Sequence, residues 1–193
     1  DLATSAVWID RPYATGVNTF DFDAKKFPDP KAMLAKAHAL GFRVSLWHTP
    51  YLDEKDPSTQ ALREVATSKG YYPKERGLLL NKWGTPVDLT NPDAFVWWQS
   101  LIQKYVDMGI EGFKLDYGED IVPGIFGARN VWKFADGSDE RTMHARYQPL
   151  YHSAYAHQNE VFHDFVTERS STDDQNLRGG KSALIPPADQ ILS

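Results

Sequence analysis

The chain has 193 residues, no cysteine, and 21 Lys and Arg against 26 Asp and Glu, a formal net charge of −5. That length supports one domain with a buried core, and the acidic balance gives no electrostatic reason to expect nucleic acid or an anionic membrane as a partner. No apolar run reaches the roughly 18 residues of a membrane span; without cysteine, neither a disulfide framework nor a thiolate metal site can form.

Ala6-Val7-Trp8-Ile9 is a short apolar run that ends at Asp10 and is stopped by Arg11-Pro12. Its length and β-branching predict a buried strand. Phe27-Pro28-Asp29-Pro30 opens a helix, with Asp29 as N-cap and Pro30 in the first turn. Met33, Leu34, Ala37 and Leu40 share one face, and Gly41 closes the helix. Phe42–Trp47 reads as the second strand. A long polar segment follows to about Val87, with a turn or two of helix near Ala61–Val65.

Thr90-Asn91-Pro92-Asp93 begins a helix that runs to about Met108, closed by Gly109. Gly112-Phe113-Lys114-Leu115 is the third strand, ending at Asp116. After a loop rich in Gly, Pro and aromatics, a helix is expected from Glu140 to about Gln158, then a fourth strand over Phe165–Glu168 ending near Arg169. Gly179-Gly180 and Pro186-Pro187 mark the tail as loop.

Strands alternating with helices are the signature of βαβ units around a parallel sheet. A (β/α) barrel and an open doubly wound sheet both fit. No glycine-rich turn follows the first strand, where Arg11-Pro12-Tyr13 stands instead, and the strands end in Asp10, Trp47, Asp116 and Arg169. Barrel active sites are assembled from the C-terminal ends of several strands, which favours the barrel. Four strands are half of the usual eight. The chain also starts at Asp1 without an initiator methionine, so residues 1–193 are expected to be a single, partial barrel domain of a longer protein.

Lys114 and Asp116 carry the chemistry. A lysine inside a short strand is costly unless it is paired or lines a cavity. Side chains alternate along a strand, so Lys114 and Asp116 point the same way, and a cation beside a carboxylate keeps it ionised. A fixed, ionised carboxylate is what a glycosidic nucleophile must be. The six tryptophans suit an aromatic core as well as a sugar cleft, and their number alone does not discriminate.

Phe113-Lys114-Leu115-Asp116-Tyr117-Gly118-Glu119 resembles the nucleophile motif of glycoside hydrolase family 31, which includes α-glucosidases, α-xylosidases and α-galactosidases. The resemblance extends in order through Val7-Trp8-Ile9-Asp10, Phe27-Pro28-Asp29-Pro30, Trp47-His48-Thr49-Pro50-Tyr51, Asp88-Leu89-Thr90-Asn91-Pro92, Phe134-Ala135-Asp136-Gly137 and Glu168-Arg169-Ser170-Ser171. It implies part of a (β/α)8 TIM barrel and a retaining hydrolase acting on a terminal α-linked sugar of a glycoside or oligosaccharide, with no metal or cofactor.

Under that resemblance Asp116 is the nucleophile, and Asp10, Trp47 and Arg169 line the sugar pocket. Lys114 lies beside the nucleophile, and Trp83 is an aromatic wall. The acid is expected at Asp189, in an Ile185-Pro186-Pro187-Ala188-Asp189 turn that lacks the family's tryptophan and glycine. His144 is expected to be structural. Arg11-Pro12-Tyr13 and Trp47-His48-Thr49-Pro50 lean toward α-galactosidase. The alternative is a non-catalytic carbohydrate-binding or inactive fragment, whose exposed edge strands would pair with a partner or a second copy.

Overall fold

The computed structural model describes residues 4–122 and 131–156. Three parallel strands, β1 (Ala6–Ile9), β2 (Arg43–His48) and β3 (Gly112–Leu115), lie in the order β1-β2-β3. Their register sets Ile9 beside Leu46, and Trp47 and His48 beside Lys114 and Leu115. All three therefore end at one rim, where Asp10, His48 and Asp116 follow one another across the sheet. The helices are α1 (Pro30–Ala39), α2 (Gln60–Ser68), α3 (Pro92–Met108) and α4 (Glu140–Ala156). The expected fourth strand, with Arg169, lies outside the described residues.

The helix ends form where the sequence placed them. The Asp29 carboxylate accepts from the Ala32 N–H, with Pro30 in the first turn. Asn91 caps α3 by accepting from the Asp93 N–H. Gly109 takes φ 106° at the end of α3, a left-handed conformation that glycine adopts without strain. α3 buries Ala94, Trp98, Leu101, Ile102 and Tyr105, and α4 buries Met143, Tyr147, Leu150, Tyr151, Ala154 and Tyr155. These two faces pack with Leu34, Val44 and Leu46 in one apolar core.

Four expectations need correction. β1 forms but is not buried: Val7 and Trp8 are 42% and 46% exposed, because β1 is an edge strand and bonds only β2 among the described residues. Lys114, on β3 at the other side of the described sheet, is likewise half exposed rather than enclosed. Leu40 does not join the buried face of α1; it is the C-cap residue and 66% exposed, since the chain turns off the helix axis there. The polar stretch after β2 carries more helix than expected, a 3-10 turn at Pro57–Thr59 running into the nine-residue α2.

Candidate active site

Side chains alternate across β2, so Trp47 and His48 enter different clusters. Trp47 turns to the rim, where it packs with Tyr51 and Trp83; all three are at least 97% buried. Its indole Nε1 donates to Asp116 Oδ2 at 2.9 Å. Lys114 Nζ reaches the same oxygen at 3.1 Å, and the Asp116 backbone N–H donates to the His48 carbonyl at 3.0 Å. The pairing of Lys114 with Asp116 expected from strand alternation is present.

Asp116 is therefore a half-buried carboxylate held from two sides. Burial raises its pKa, but the Trp47 indole, the Lys114 ammonium and the Tyr117 N–H outweigh burial and hold it below the usual carboxylate range. It is ionised at neutral pH, and its oxygens still face the open rim. The next residue, Tyr117, has φ 59°, a left-handed conformation uncommon outside glycine that marks a sharp turn out of the strand. The Tyr51 hydroxyl donates to the Tyr117 carbonyl at 2.7 Å and braces this turn. Burial, with the charges of Asp120 and Glu119, pushes the Tyr51 phenol well up, so it stays a neutral donor. Gly118 leaves room for α4: a Cβ there would lie 2.8 Å from Gln148 Oε1 and 3.2 Å from Tyr151 Cδ1, so the Gln148 side chain would have to move.

Trp83 forms the wall opposite Trp47. Its ring is 5.9 Å from that of Trp47, 5.8 Å from Tyr51 in a stacked arrangement, and 4.6 Å from Tyr117 edge-on. The Arg11 guanidinium lies 5.2 Å from the Trp47 ring centre and 5.3 Å from that of Trp83, so one cation faces both indoles. A cavity of about 470 Å³ opens beside it, lined among others by Arg11, Tyr13, Thr15, Asn18, Trp47 and Asp56. Asp116 does not line that cavity; Trp47 separates the two while touching both. Lys114 Nζ also lies 4.6 Å over the exposed Trp8 ring.

The structure thus brings together Trp47, Trp83, Lys114 and Asp116. Asp10 is at the same rim, solvent-exposed, with its carboxylate accepting from the Arg11 N–H at 2.7 Å. Arg169 and Asp189 lie outside the described residues. His144 Nδ1 is 2.8 Å from the Ile121 carbonyl, a contact that ties α4 to the segment after β3, as a structural residue would. Among the described residues, no three of His, Cys, Asp and Glu stand together as a metal site would need. Sequence reading missed Arg11 as part of the aromatic cluster and missed Asp120 and Asn81, which meet across 39 positions of chain. No local signal could have paired them.

The description of the TIM-barrel domain of glycosyl hydrolases family 31 matches residues 1–175. The chain belongs to this family, and the three parallel strands are part of its (β/α)8 barrel. It is 37% identical over 173 residues to the α-xylosidase XylQ of Lactiplantibacillus pentosus, covering 86% of this chain and 20% of that protein. It is 32% identical over 157 residues to an α-xylosidase of Emericella nidulans, covering 78% and 18%. The crystal structure of a family 31 α-xylosidase from a soil metagenome, complexed with xylose, superposes with a TM-score of 0.61 at 21% identity, covering 80% of this chain and 23% of that one. The chain spans about a fifth of the length of the curated relatives it matches.

Proposed function

We propose that this chain carries the nucleophile half of a retaining α-glycoside hydrolase, with Asp116 attacking the anomeric carbon of a terminal α-linked sugar. The observation that carries the reading is the Asp116 carboxylate, kept ionised by Trp47 and Lys114 at the open ends of three parallel strands. In the first step the carboxylate oxygen bonds to the anomeric carbon as the glycosidic bond breaks and an acid protonates the leaving oxygen. In the second, water displaces the carboxylate and configuration is retained. Asp189 is the proposed acid, and a retaining pair should hold its carboxyl groups roughly 5–5.5 Å apart. Asp10 and Arg169 are proposed to bind the sugar at the rim, while Trp47 and Trp83, themselves buried, back the rim and hold the groups that face the sugar.

The sugar is the finer question. Arg11-Pro12-Tyr13 and Trp47-His48-Thr49-Pro50 underlie a leaning toward galactosides, whereas the names of the two relatives above favour xylosides. The test is hydrolysis of aryl α-xyloside, α-galactoside and α-glucoside, whose good leaving groups reduce the demand for an acid. Turnover of one sugar, with the same anomer released first, supports the reading and names the substrate. Sugar binding without turnover, unchanged by Asp116→Asn, would favour a carbohydrate-binding module instead. We also propose that the edge strand β1, with Val7 and Trp8 exposed, pairs with further strands or a second copy; a compact monomer in solution would contradict pairing between copies.

A further inference from the structure

Two adjacent carboxylates follow the proposed nucleophile, and their surroundings differ. Glu119 is exposed and accepts from Gln148 Nε2 at 3.2 Å. Asp120 is only 5% exposed and turns toward the loop that carries Trp83. Its Oδ1 accepts from the Leu80 N–H at 2.6 Å, and its Oδ2 accepts from the side-chain amide of Asn81. The amide oxygen of Asn81 then accepts from the Trp83 N–H at 2.7 Å and the Gly84 N–H at 2.8 Å. The amide nitrogen also donates to the Gly84 carbonyl at 3.0 Å. Both ends of the Asn81 amide are therefore used twice.

An amide can be turned end for end, and the two orientations fill the same volume. Here the Trp83 and Gly84 N–H groups and the Gly84 carbonyl select one, and Asp120 takes up the nitrogen that this orientation presents. Both Asp120 oxygens accept, one from the Leu80 N–H and one from the Asn81 amide, so the amide is tied at its nitrogen to the segment after β3 while its oxygen serves the N–H groups of Trp83 and Gly84. The opposite orientation would set oxygen against oxygen and an NH₂ group against two N–H donors.

We infer that Asp120 is a positioning residue: through Asn81 it fixes the Trp83 wall relative to Asp116. Asp120 and Asp116 belong to one short segment after β3, so the wall is referenced to the segment that carries the proposed nucleophile. Trp83 in turn meets Tyr117 at 4.6 Å and Trp47 at 5.9 Å. The use of that wall by a sugar rests on the glycosidase reading above; the link from Asp120 to Trp83 does not.

The link can be exchanged as well as cut. Asp120→Asn keeps an oxygen for the Leu80 N–H but sets its NH₂ against the NH₂ of Asn81, two donors facing one another. Adding Asn81→Asp replaces one of them with an acceptor, which still serves the Trp83 and Gly84 N–H groups but sets an oxygen against the Gly84 carbonyl in place of the bond there. The experiment compares tryptophan emission and near-ultraviolet circular dichroism of the 193-residue chain with those of Asp120→Ala, Asp120→Asn, the Asn81→Asp/Asp120→Asn pair, and a Trp83→Phe reference. Both single Asp120 variants are expected to lose the contribution that Trp83→Phe removes, and the pair to regain part of it, with cooperative unfolding retained. A Trp83 signal preserved in Asp120→Asn, or a pair no better than that single variant, overturns the inference; if Asp120→Ala fails to fold, the isosteric variants decide.

Aryl α-glycoside kinetics on the same proteins add a second readout. Loss of a buried hydrogen bond that positions the Trp83 loop behind the rim should raise KM about tenfold while kcat stays within about twofold. A fall confined to kcat would contradict a role through the wall. A wild-type chain with no turnover would count against the glycosidase reading, while the spectra still decide whether Asp120 holds Trp83.

Discussion

Trp47 and His48 are neighbours in β2, and the clusters they enter are built from similar aromatic residues under opposite electrostatics. His48 turns inward, is fully buried, and is ringed by Tyr13, Phe20, Tyr105, Phe113 and Tyr155 at 4.9–6.5 Å. Its Nδ1 meets the Tyr155 hydroxyl at 2.9 Å, and that hydroxyl also accepts from the Trp98 indole at 3.2 Å. Burial pushes the imidazole down to about 3, so it stays neutral. Trp47 turns to the rim, where Arg11, Lys114 and Asp116 all touch its cluster or the carboxylate it holds. Aromatic side chains close a core in one place and frame a charged, open site in the other. The charges, rather than the rings, distinguish a place for chemistry from a place for packing.

That contrast predicts different losses on the two sides. Asp116→Asn should cost the rim its function, lowering kcat/KM on an aryl α-glycoside by about 10⁴-fold or more while leaving the unfolding midpoint close to that of the parent. An unchanged rate would remove the distinction at its root.

The core should respond to pH instead. In the unfolded chain His48 titrates near 6.5, whereas in the folded chain it titrates at about 3. Above pH 6.5 it is neutral in both states and contributes nothing to pH dependence. As pH falls from 6.5 toward 3, the unfolded chain takes up a proton that the folded chain refuses, so stability is lost, on the order of 4 kcal/mol by pH 3. Burial raises the carboxyls of Asp88 and Asp120, and they act in the opposite sense. The comparison to make is therefore urea unfolding of the parent and of His48→Gln at several pH values, where the variant should show the shallower acid loss. Equal slopes would mean the core is less dry than described.

A smaller effect should sharpen the boundary between the clusters. Trp47→Phe keeps an aromatic side chain, though a smaller one, and removes the N–H that donates to Asp116. The Asp116 pKa should then rise, moving the acid limb of the rate profile to higher pH, and kcat/KM should fall about tenfold for the loss of one hydrogen bond to a charged group. An unmoved acid limb would assign the low Asp116 pKa to Lys114 and the Tyr117 N–H. Smallest of all, Arg76→Ala breaks an exposed 3.5 Å contact with Glu54 and a bond to Thr85 at the outside of the loop. It should shift stability by less than about 1 kcal/mol in the same unfolding assay.

Much of this was legible in the order of residues. Caps at Asp29 and Asn91, the closing Gly109, and three short apolar runs suffice to place the strands and helices, because those signals are local. The pairing of Lys114 with Asp116 was legible for the same reason, since strand alternation acts over two residues. The exposure of β1 was not, because burial depends on what covers a strand rather than on its composition. Nor was the contact of Asp120 with Asn81, or of Arg11 with Trp47 and Trp83, since each joins segments far apart in the chain that only the folded loops bring together.

The most direct test of Asp116 as nucleophile is covalent trapping. The protein would be incubated with fluorinated α-xylosyl, α-galactosyl and α-glucosyl fluorides that form the glycosyl-enzyme quickly and release it slowly, then digested and sequenced by mass spectrometry. The account predicts one sugar attached to the peptide containing Phe113-Lys114-Leu115-Asp116, on the Asp116 side chain, and no adduct in Asp116→Asn. A sugar attached to another carboxylate, or hydrolysis of these reagents without any adduct and with inversion, would contradict it.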